Sequence, residues 1–391
     1  MIKKNLPDVA KGNDVLIYLD NAATTKPCAE ACQAVMKGLE CFGNPSSLHT
    51  AGLQAEQLVT NSREKVAEAL GVSADEIFFT SGATESSNTA IFGAYKAHGK
   101  RKKRVVTTTV EHPSVAKCFD ELERLGCEVI RISPDENGEI QAKDIFSAVN
   151  DDTFMVSCML VNNETGAILP IEKAFSMIKK KFPKVLTHCD AVQGFMKIPF
   201  TAKKLSADLI SVSGHKIYAP KGIGAIYVKK GVHIPAFLIG GGQEKGFRSG
   251  TESVPLICGF GTAVERLMPK VSENYEKVKA IRDYLLKKCS ENGEISVNSK
   301  ENSSPYVLSI SVKDIKSEVL LHYLEKKEIY VSSGSACSKG KKSSVLKEFK
   351  IPEPNLDTTL RISFSPETTK TDIDGLIEGI ESAQKELCRL K

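Results

Sequence analysis

Two periods alternate along the chain from about residue 50 to residue 230: segments with apolar positions three and four apart, and short apolar runs of strand length. Gly52 to Leu70 has helical spacing and stops at Gly71. Glu76 to Thr80 then reads as a short strand and Glu85 to His98 as a helix. The pattern repeats with a strand at Val105 to Val110, a helix at Ser114 to Leu125 and a strand at Glu128 to Ile132. Thr153 to Val161 is a long apolar run. After it come a helix at Ile171 to Lys181 and strands at Val185 to Asp190, Leu209 to Ser213 and Ala225 to Val228. This alternation predicts an α/β fold, with a largely parallel sheet covered by helices on both faces. Ligands of such sheets bind beyond the carboxyl ends of the strands, so the strand ends are the place to look for chemistry.

After about Pro255 the texture changes. Ile257 to Ser290 reads as one or two long helices with a break at Pro269, and Thr371 to Leu390 as a closing helix. Tyr306 to Val312 and Ile329 to Ser332 read as strands of a smaller α+β unit. The domain boundary is placed near residue 260, giving a large domain over 18–260 and a smaller one built from 1–17 and 261–391. No internal repeat or low-complexity linker interrupts the chain.

Composition narrows the picture. The 391 residues are 41% hydrophobic and 26% charged, an ordinary globular balance with room for a large core. The net charge of +5 is small for this length and points to no particular partner. The run Lys100-Arg101-Lys102-Lys103-Arg104 lacks interleaved aromatics and reads as a solvated turn before a strand, so no direct nucleic-acid contact is expected. No apolar run is long enough to span a bilayer. Met1 to Val9 carries neither an apolar stretch nor a small-residue cleavage site, and a cytoplasmic location without membrane attachment is expected. The eleven cysteines are scattered and odd in number, which argues against a disulfide framework. Cys28 and Cys32 are four apart, but no second pair completes a zinc site. Ten of the cysteines are read as packing residues; Cys337 is the exception.

Candidate chemistry falls on successive strand ends. Gly214-His215-Lys216 follows the strand Leu209 to Ser213, and a lysine there can form an imine with an aldehyde cofactor if its pKa is lowered. Alone the tripeptide does not select that chemistry, because a solvated lysine is by far the commoner case. Asp190 ends an earlier strand. Pyridoxal phosphate acts as an electron sink when a carboxylate keeps its ring nitrogen protonated, and Asp190 is placed for that; it is also placed to cap a helix starting at Ala191. Gln193 can hydrogen-bond the phenolic oxygen of such a cofactor. Thr80-Ser81-Gly82-Ala83-Thr84-Glu85 leads from a strand into a helix, whose free N–H groups and dipole suit a phosphate. Ser213 and His215 add donors. His112, at another strand end, can stack on the ring or move protons. Asn163 follows the run Thr153 to Val161 and can reach cofactor or substrate.

With these motifs in place the chain resembles the cysteine desulfurases of the class V aminotransferase group (NifS/IscS-like). The resemblance is carried in order by Tyr18 to Thr25, Phe42 to Ser47, Thr80 to Glu85, Glu111-His112, Val161 to Glu164, Asp190 to Gln193, Ser213 to Lys216, Pro220 to Gly224, Gly240 to Glu244, Arg248 to Glu252, Ser332 to Cys337 and Arg361 to Ser363. It implies fold type I of the pyridoxal-phosphate-dependent transferases, with a mainly parallel seven-stranded sheet, and a homodimer with active sites at the subunit interface. Carried over by position, Lys216 is the Schiff-base residue, Asp190 the pyridinium partner, Gln193 the phenolic-oxygen contact and His112 the stacking histidine. Ala83, Thr84, Ser213 and His215 form the phosphate cup, which Thr251 of the other subunit completes. Arg361 clamps the substrate carboxylate, a task suited to a guanidinium fork. Asn163 lies near cofactor and substrate.

Cys337 resembles the family's sulfur acceptor. It sits in a loop at about 332–345, where Ser338 to Ser344 is a Gly/Ser/Lys tract of mobile-loop composition and Lys339, Lys341 and Lys342 favour a thiolate if close. The implied reaction removes sulfur from L-cysteine, giving L-alanine and a persulfide on Cys337. The implied partner is a sulfur-acceptor protein, such as an iron–sulfur scaffold or a thiolation enzyme. No resident metal is implied, and Cys337 is the one candidate for transient contact with an iron–sulfur cluster. The rival readings are another class V reaction, aminotransfer or selenocysteine lysis, and a non-catalytic sulfur-relay subunit. Ser87 departs from the family pattern, where aspartate is common, with little effect expected.

Overall fold

The computed structural model, which describes residues 16–333 and 343–387, builds its large sheet from seven strands: β1 (Ile77–Thr80), β2 (Arg104–Thr108), β3 (Glu128–Ile132), β4 (Thr153–Met159), β5 (Leu186–Asp190), β6 (Leu209–Ser213) and β7 (Gly224–Val228). Their order is β1-β7-β6-β5-β4-β2-β3. The pairings are parallel except at β7, which runs antiparallel to both β6 and β1. The physical reason is the short connection between β6 and β7, residues 214–223, which has no room for the crossover helix that a parallel pair needs. That same short connection holds Lys216.

Every position of β4, β5, β6 and β7 is buried, as expected for strands covered on both faces. On one face the helices Thr50–Leu70, Ile171–Lys181 and Val254–Leu267 bring Val66, Phe175 and Phe260 onto Val156, Cys158 and Ile210. On the other, Ala83–His98 and Pro113–Arg124 bring Ile91, Phe119 and Leu122 onto Met155 and Leu209. Adjacent strand residues such as Leu209 and Ile210 therefore serve opposite layers.

Several expectations shift by a few residues. Glu76 belongs to a short 3-10 turn, Ala74–Glu76, because its carboxylate accepts the Ser73 N–H at 3.0 Å in a capping box. Lys102 and Lys103 donate to the carbonyls of Thr153 and Gly99, and Arg104 pairs with Glu128 at 2.6 Å, so the last three residues of the basic run are engaged locally while Lys100 and Arg101 are exposed. Helix Val254–Leu267 gives way to a 3-10 turn containing Pro269 before helix Val271–Glu291 begins. The packing role expected of the cysteines holds for Cys118, Cys127, Cys158, Cys189, Cys258 and Cys289. It fails for Cys32, which is exposed, and is only partial for Cys28 and Cys41. Helix Ala29–Glu40 buries only Ala31 and Gly38, which leaves its cysteine at the surface. Among the described residues no helix is long and apolar enough to cross a membrane.

A second, antiparallel sheet has the order Ser332–Ser333, Thr359–Ser363, Val307–Val312, Ile295–Val297. It has its own core, in which Leu19 joins Val278, Leu308, Ile310, Leu320, Leu360, Ile362 and Ile377. The segment after Leu19 then crosses to the large sheet. Asn21 Nδ2 donates to Ser363 O at 3.0 Å and Ala22 N to Ser363 Oγ at 2.8 Å. Thr25 N donates to His215 O at 2.9 Å. This crossing sets Ala22 and Ala23 beside Lys216 and brings the Arg361 strand to the same place.

Candidate active site

A cavity of about 710 Å³ lies where β1, β4, β5 and β6 end, lined by Ala83, Thr84, His112, Asn163, Asp190, Gln193, Ser213, His215, Lys216 and Arg361. Nearly every residue expected at the site on sequence grounds thus meets in one place. Thr251, expected at the phosphate of the other subunit, is exposed and lies outside this lining. Cys337, with Lys339, Lys341 and Lys342, lies outside the described residues.

Lys216 closes the 3-10 turn Gly214–Lys216, and its Nζ donates to the carbonyls of Ala22 and Ala23 at 2.6 and 2.7 Å. The turn requires glycine at 214, where a Cβ would meet Ile223 Cγ2 at 2.8 Å. His215 reaches Thr24 Oγ1 through Nδ1 at 3.3 Å. Burial first, then the charge of Lys216, pushes its pKa down to about 4, so it serves as a neutral polar group. His112 is the cap of helix Pro113–Arg124, and its Nδ1 accepts the Ser114 N–H at 3.2 Å. An accepting Nδ1 puts the proton of the neutral ring on Nε2. Burial, followed by Lys216, lowers the pKa of His112 as well, which favours that neutral form.

Asp190 ends β5 and lines the cavity. One of its oxygens accepts from Val192 N at 3.0 Å, so it stabilises a local turn, while no helix starts at Ala191. Burial raises its pKa to about 6, against the lowering effects of the Val192 hydrogen bond and of Lys216. An unfolded aspartate titrates near 4. The native chain therefore binds the proton more tightly, and the stability this gives is complete below pH 4 and lost as pH rises through 6. Cofactor-free Asp190→Asn keeps the acceptor for Val192 and avoids the buried charge. It is expected to be more stable than the parent by on the order of 3 kcal/mol at pH 8, with the gap closing towards pH 4. Denaturant midpoints across pH measure this, and a gap that does not change with pH places the titration elsewhere.

Helix Ala83–His98 points its start at the cavity. Gly82, at φ 151°, makes the bend, and among the described residues no acceptor is found for the N–H groups of Ala83 and Thr84. Two free donors at a helix start suit a phosphate. Glu85 anchors this start by accepting from Ser81 N at 2.9 Å and from Arg248 Nε at 2.8 Å. Arg361 Nη2 meets Asp20 Oδ1 at 2.8 Å and Nη1 donates to Asn163 O at 3.2 Å, while its buried Nε has no partner among the described residues.

Sequence reasoning missed several neighbours. Asp20 holds Arg361 across a separation of 341 residues, which no local pattern signals. Glu111 is buried beneath the site. Its Oε1 accepts from Thr108 Oγ1 at 2.6 Å and Met159 N at 3.0 Å, and burial raises its pKa to about 8. Ser87, the departure from the family pattern, joins the buried chain Ser87–Ser211–His188–Ser157. Burial holds His188 down to about 3, so this chain carries no charge. Lys197 donates to Gln193 Oε1 at 3.1 Å.

The donor set fits pyridoxal phosphate: an amine for the aldehyde, a buried carboxylate for the ring nitrogen, and free helix N–H groups with neutral polar side chains for the phosphate. An α/β fold with these groups on its strand ends defines a carbonyl-cofactor enzyme of the transferase type. Comparison with known proteins gives the family. The class V aminotransferase model matches residues 17–376. A cysteine desulfurase of Nostoc sp. is 39% identical over 373 residues, 93% of this chain and 91% of that protein. Among solved structures, a NifS-like protein superposes with a TM-score of 0.90 at 36% identity, covering 95% of this chain and all of the other. One described as SspA in complex with cysteine gives 0.80 at 30% identity, covering 90% of this chain and 99% of the other. The chain belongs to the class V aminotransferase family, whose cofactor is pyridoxal phosphate.

Proposed function

We propose that this chain is a cysteine desulfurase, which takes sulfur from L-cysteine, releases L-alanine and carries the sulfur as a persulfide on Cys337. The observation that carries the reading is the joint placement of Lys216, Asp190 and Arg361 on one cavity, in a chain 39% identical to a curated cysteine desulfurase.

Pyridoxal phosphate, when bound, supplies an aldehyde and a ring that accepts the electron pair of a broken substrate bond. Lys216 would hold it covalently, Asp190 would keep its ring nitrogen protonated, and Ala83, Thr84, Ser213 and His215 would hold the phosphate. Arg361 orients the substrate carboxylate. Lys216, once freed from the cofactor, takes the α-proton of cysteine and returns it to the carbon skeleton. The Cys337 thiolate attacks the substrate sulfur: an S–S bond forms, the C–S bond breaks, and the three-carbon remainder leaves as alanine after protonation. The terminal sulfur then passes to an acceptor protein.

A homodimer is part of the proposal. Phe42 and Leu48 are 90% and 94% exposed between helices Ala29–Glu40 and Thr50–Leu70, and Ile239 is 89% exposed in the loop leading to Thr251. A second copy would cover these groups and bring its Thr251 to the phosphate.

The test is intact-protein mass after brief exposure to L-cysteine without reductant, then mapping of the modified peptide, on a sample whose sedimentation mass is twice the 42.5 kDa chain. One added sulfur on Cys337 with matching alanine is the expected result. A cofactor-loaded protein that gains no sulfur sinks the desulfurase reading and favours another reaction of the same family.

A further inference from the structure

Lys197 takes no part in the chemistry set out above, yet it is 4% exposed and buried beside the site. Its Nζ lies 3.1 Å from Gln193 Oε1 and 5.8 Å from the centre of the Tyr306 ring. Among the described residues it has no carboxylate partner. The titratable groups that act on it are cationic, Lys216 and Arg361, and His215 lies within its field. A lysine side chain ordinarily carries its amine to water. Here the backbone prevents that. Lys197 closes a turn in which its N–H donates to Gly194 O at 3.0 Å, and Phe195, within the same turn, packs on Phe260 at 6.4 Å. Burial, then Lys216 and Arg361, pushes its pKa down to about 7. An inward amine at such a cost calls for a local reason.

Gln193 supplies one. Its amide has an oxygen edge and an NH₂ edge that the fold must tell apart. The ammonium form of Lys197, which prevails below about pH 7, is a donor only and selects the oxygen, and the neutral amine can still donate to it. At the other edge Nε2 donates to Ala22 O at 2.9 Å, and a carbonyl accepts only. Both partners impose the same orientation, and the second N–H of Nε2 remains available where Gln193 lines the cavity.

We propose that Lys197 is a positioning residue that locks the Gln193 amide with its NH₂ edge towards the cofactor site, so that the phenolic oxygen of bound pyridoxal phosphate meets a donor. The inference rests on the cofactor reading above. A fixed donor at that oxygen favours its anionic form and lowers the pH at which the bound chromophore titrates.

The experiment is a spectrophotometric pH titration of the bound cofactor in four holoproteins: parent, Lys197→Met, Gln193→Met and the double variant. Lys197→Met removes a buried charge while keeping side-chain length, and circular dichroism checks that it folds as the parent does. Its midpoint is expected about one pH unit above the parent's. If Lys197 acts through Gln193, the same substitution in the Gln193→Met background gives little further shift. Equal shifts in both backgrounds overturn the positioning role and leave only a through-space charge. A parent that colours normally and a Lys197→Met that titrates identically overturn it too. A parent that takes up no pyridoxal phosphate overturns the cofactor reading and this inference with it.

Discussion

Lys216→Ala is expected to lose at least about 10³-fold in alanine formation from L-cysteine while still taking up pyridoxal phosphate in a form that dialysis removes. The two effects separate because the proposed reaction gives Lys216 two duties. As the covalent anchor it supplements non-covalent contacts that remain in the variant: the buried Asp190 carboxylate, His112, and the free N–H groups at the start of helix Ala83–His98. As the base it has no evident substitute, since burial lowers the proton affinity of both His112 and His215 and their Nδ1 atoms already engage Ser114 and Thr24. Its own carbonyl contacts to Ala22 and Ala23 hold the amine at the cavity wall, and in the alanine variant Ala22 O keeps its Gln193 donor at 2.9 Å. Borohydride reduction followed by peptide mapping should fix the cofactor to Lys216 in the parent and to no residue in the variant. Alanine formation within tenfold of the parent would remove Lys216 from the chemistry.

What made Lys216 and Asp190 visible in the sequence is the regularity of the sheet. An apolar run of strand length ending in a polar residue marks a carboxyl end, and β5 and β6 end in Asp190 and Ser213, as their patterns indicate. The proposed phosphate cradle is visible for the same reason, because β1 passes directly into helix Ala83–His98. The antiparallel sense of β7 is a matter of connection length, which an apolar run does not encode. Asp20 and Arg361 are brought together by the crossing of the N-terminal segment between two sheets, a tertiary event with no local period. Lys197 is harder still. Its neighbours along the chain look like an ordinary turn, and the tertiary packing of that turn, with Phe195 on Phe260, carries no local signal of an inward lysine. The exposed Cys32 is the converse case. A cysteine in a helix reads as core until it is known that the helix buries only two small residues.

Arg361→Leu is expected to lower kcat/KM for L-cysteine by about 10²–10³-fold, chiefly through KM, with cofactor colour retained. The guanidinium is buried at the cavity, yet it is only partly spent: Asp20 takes one N–H, Asn163 O another, and Nε has no partner among the described residues. A donor desolvated without an acceptor is unfavourable unless a ligand completes it. A substrate carboxylate is a suitable completion, since it matches the guanidinium fork and brings the second negative charge that this site, with one carboxylate at 2.8 Å, has room to accept. The leucine variant removes the fork and also leaves Asp20 unpaired, so approach of a second carboxylate becomes repulsive as well as unassisted. Arg361→Lys should fall between the two, because an ammonium offers the charge without the planar pair of donors. Cysteamine, which has the thiol and the amine of cysteine but no carboxylate, supplies the control: whatever interaction it has with the parent site should be little changed in Arg361→Leu. If L-cysteine turnover in that variant stays within threefold of the parent, or if cysteamine handling falls in step with it, Arg361 holds the two sheets together and the carboxylate is bound elsewhere.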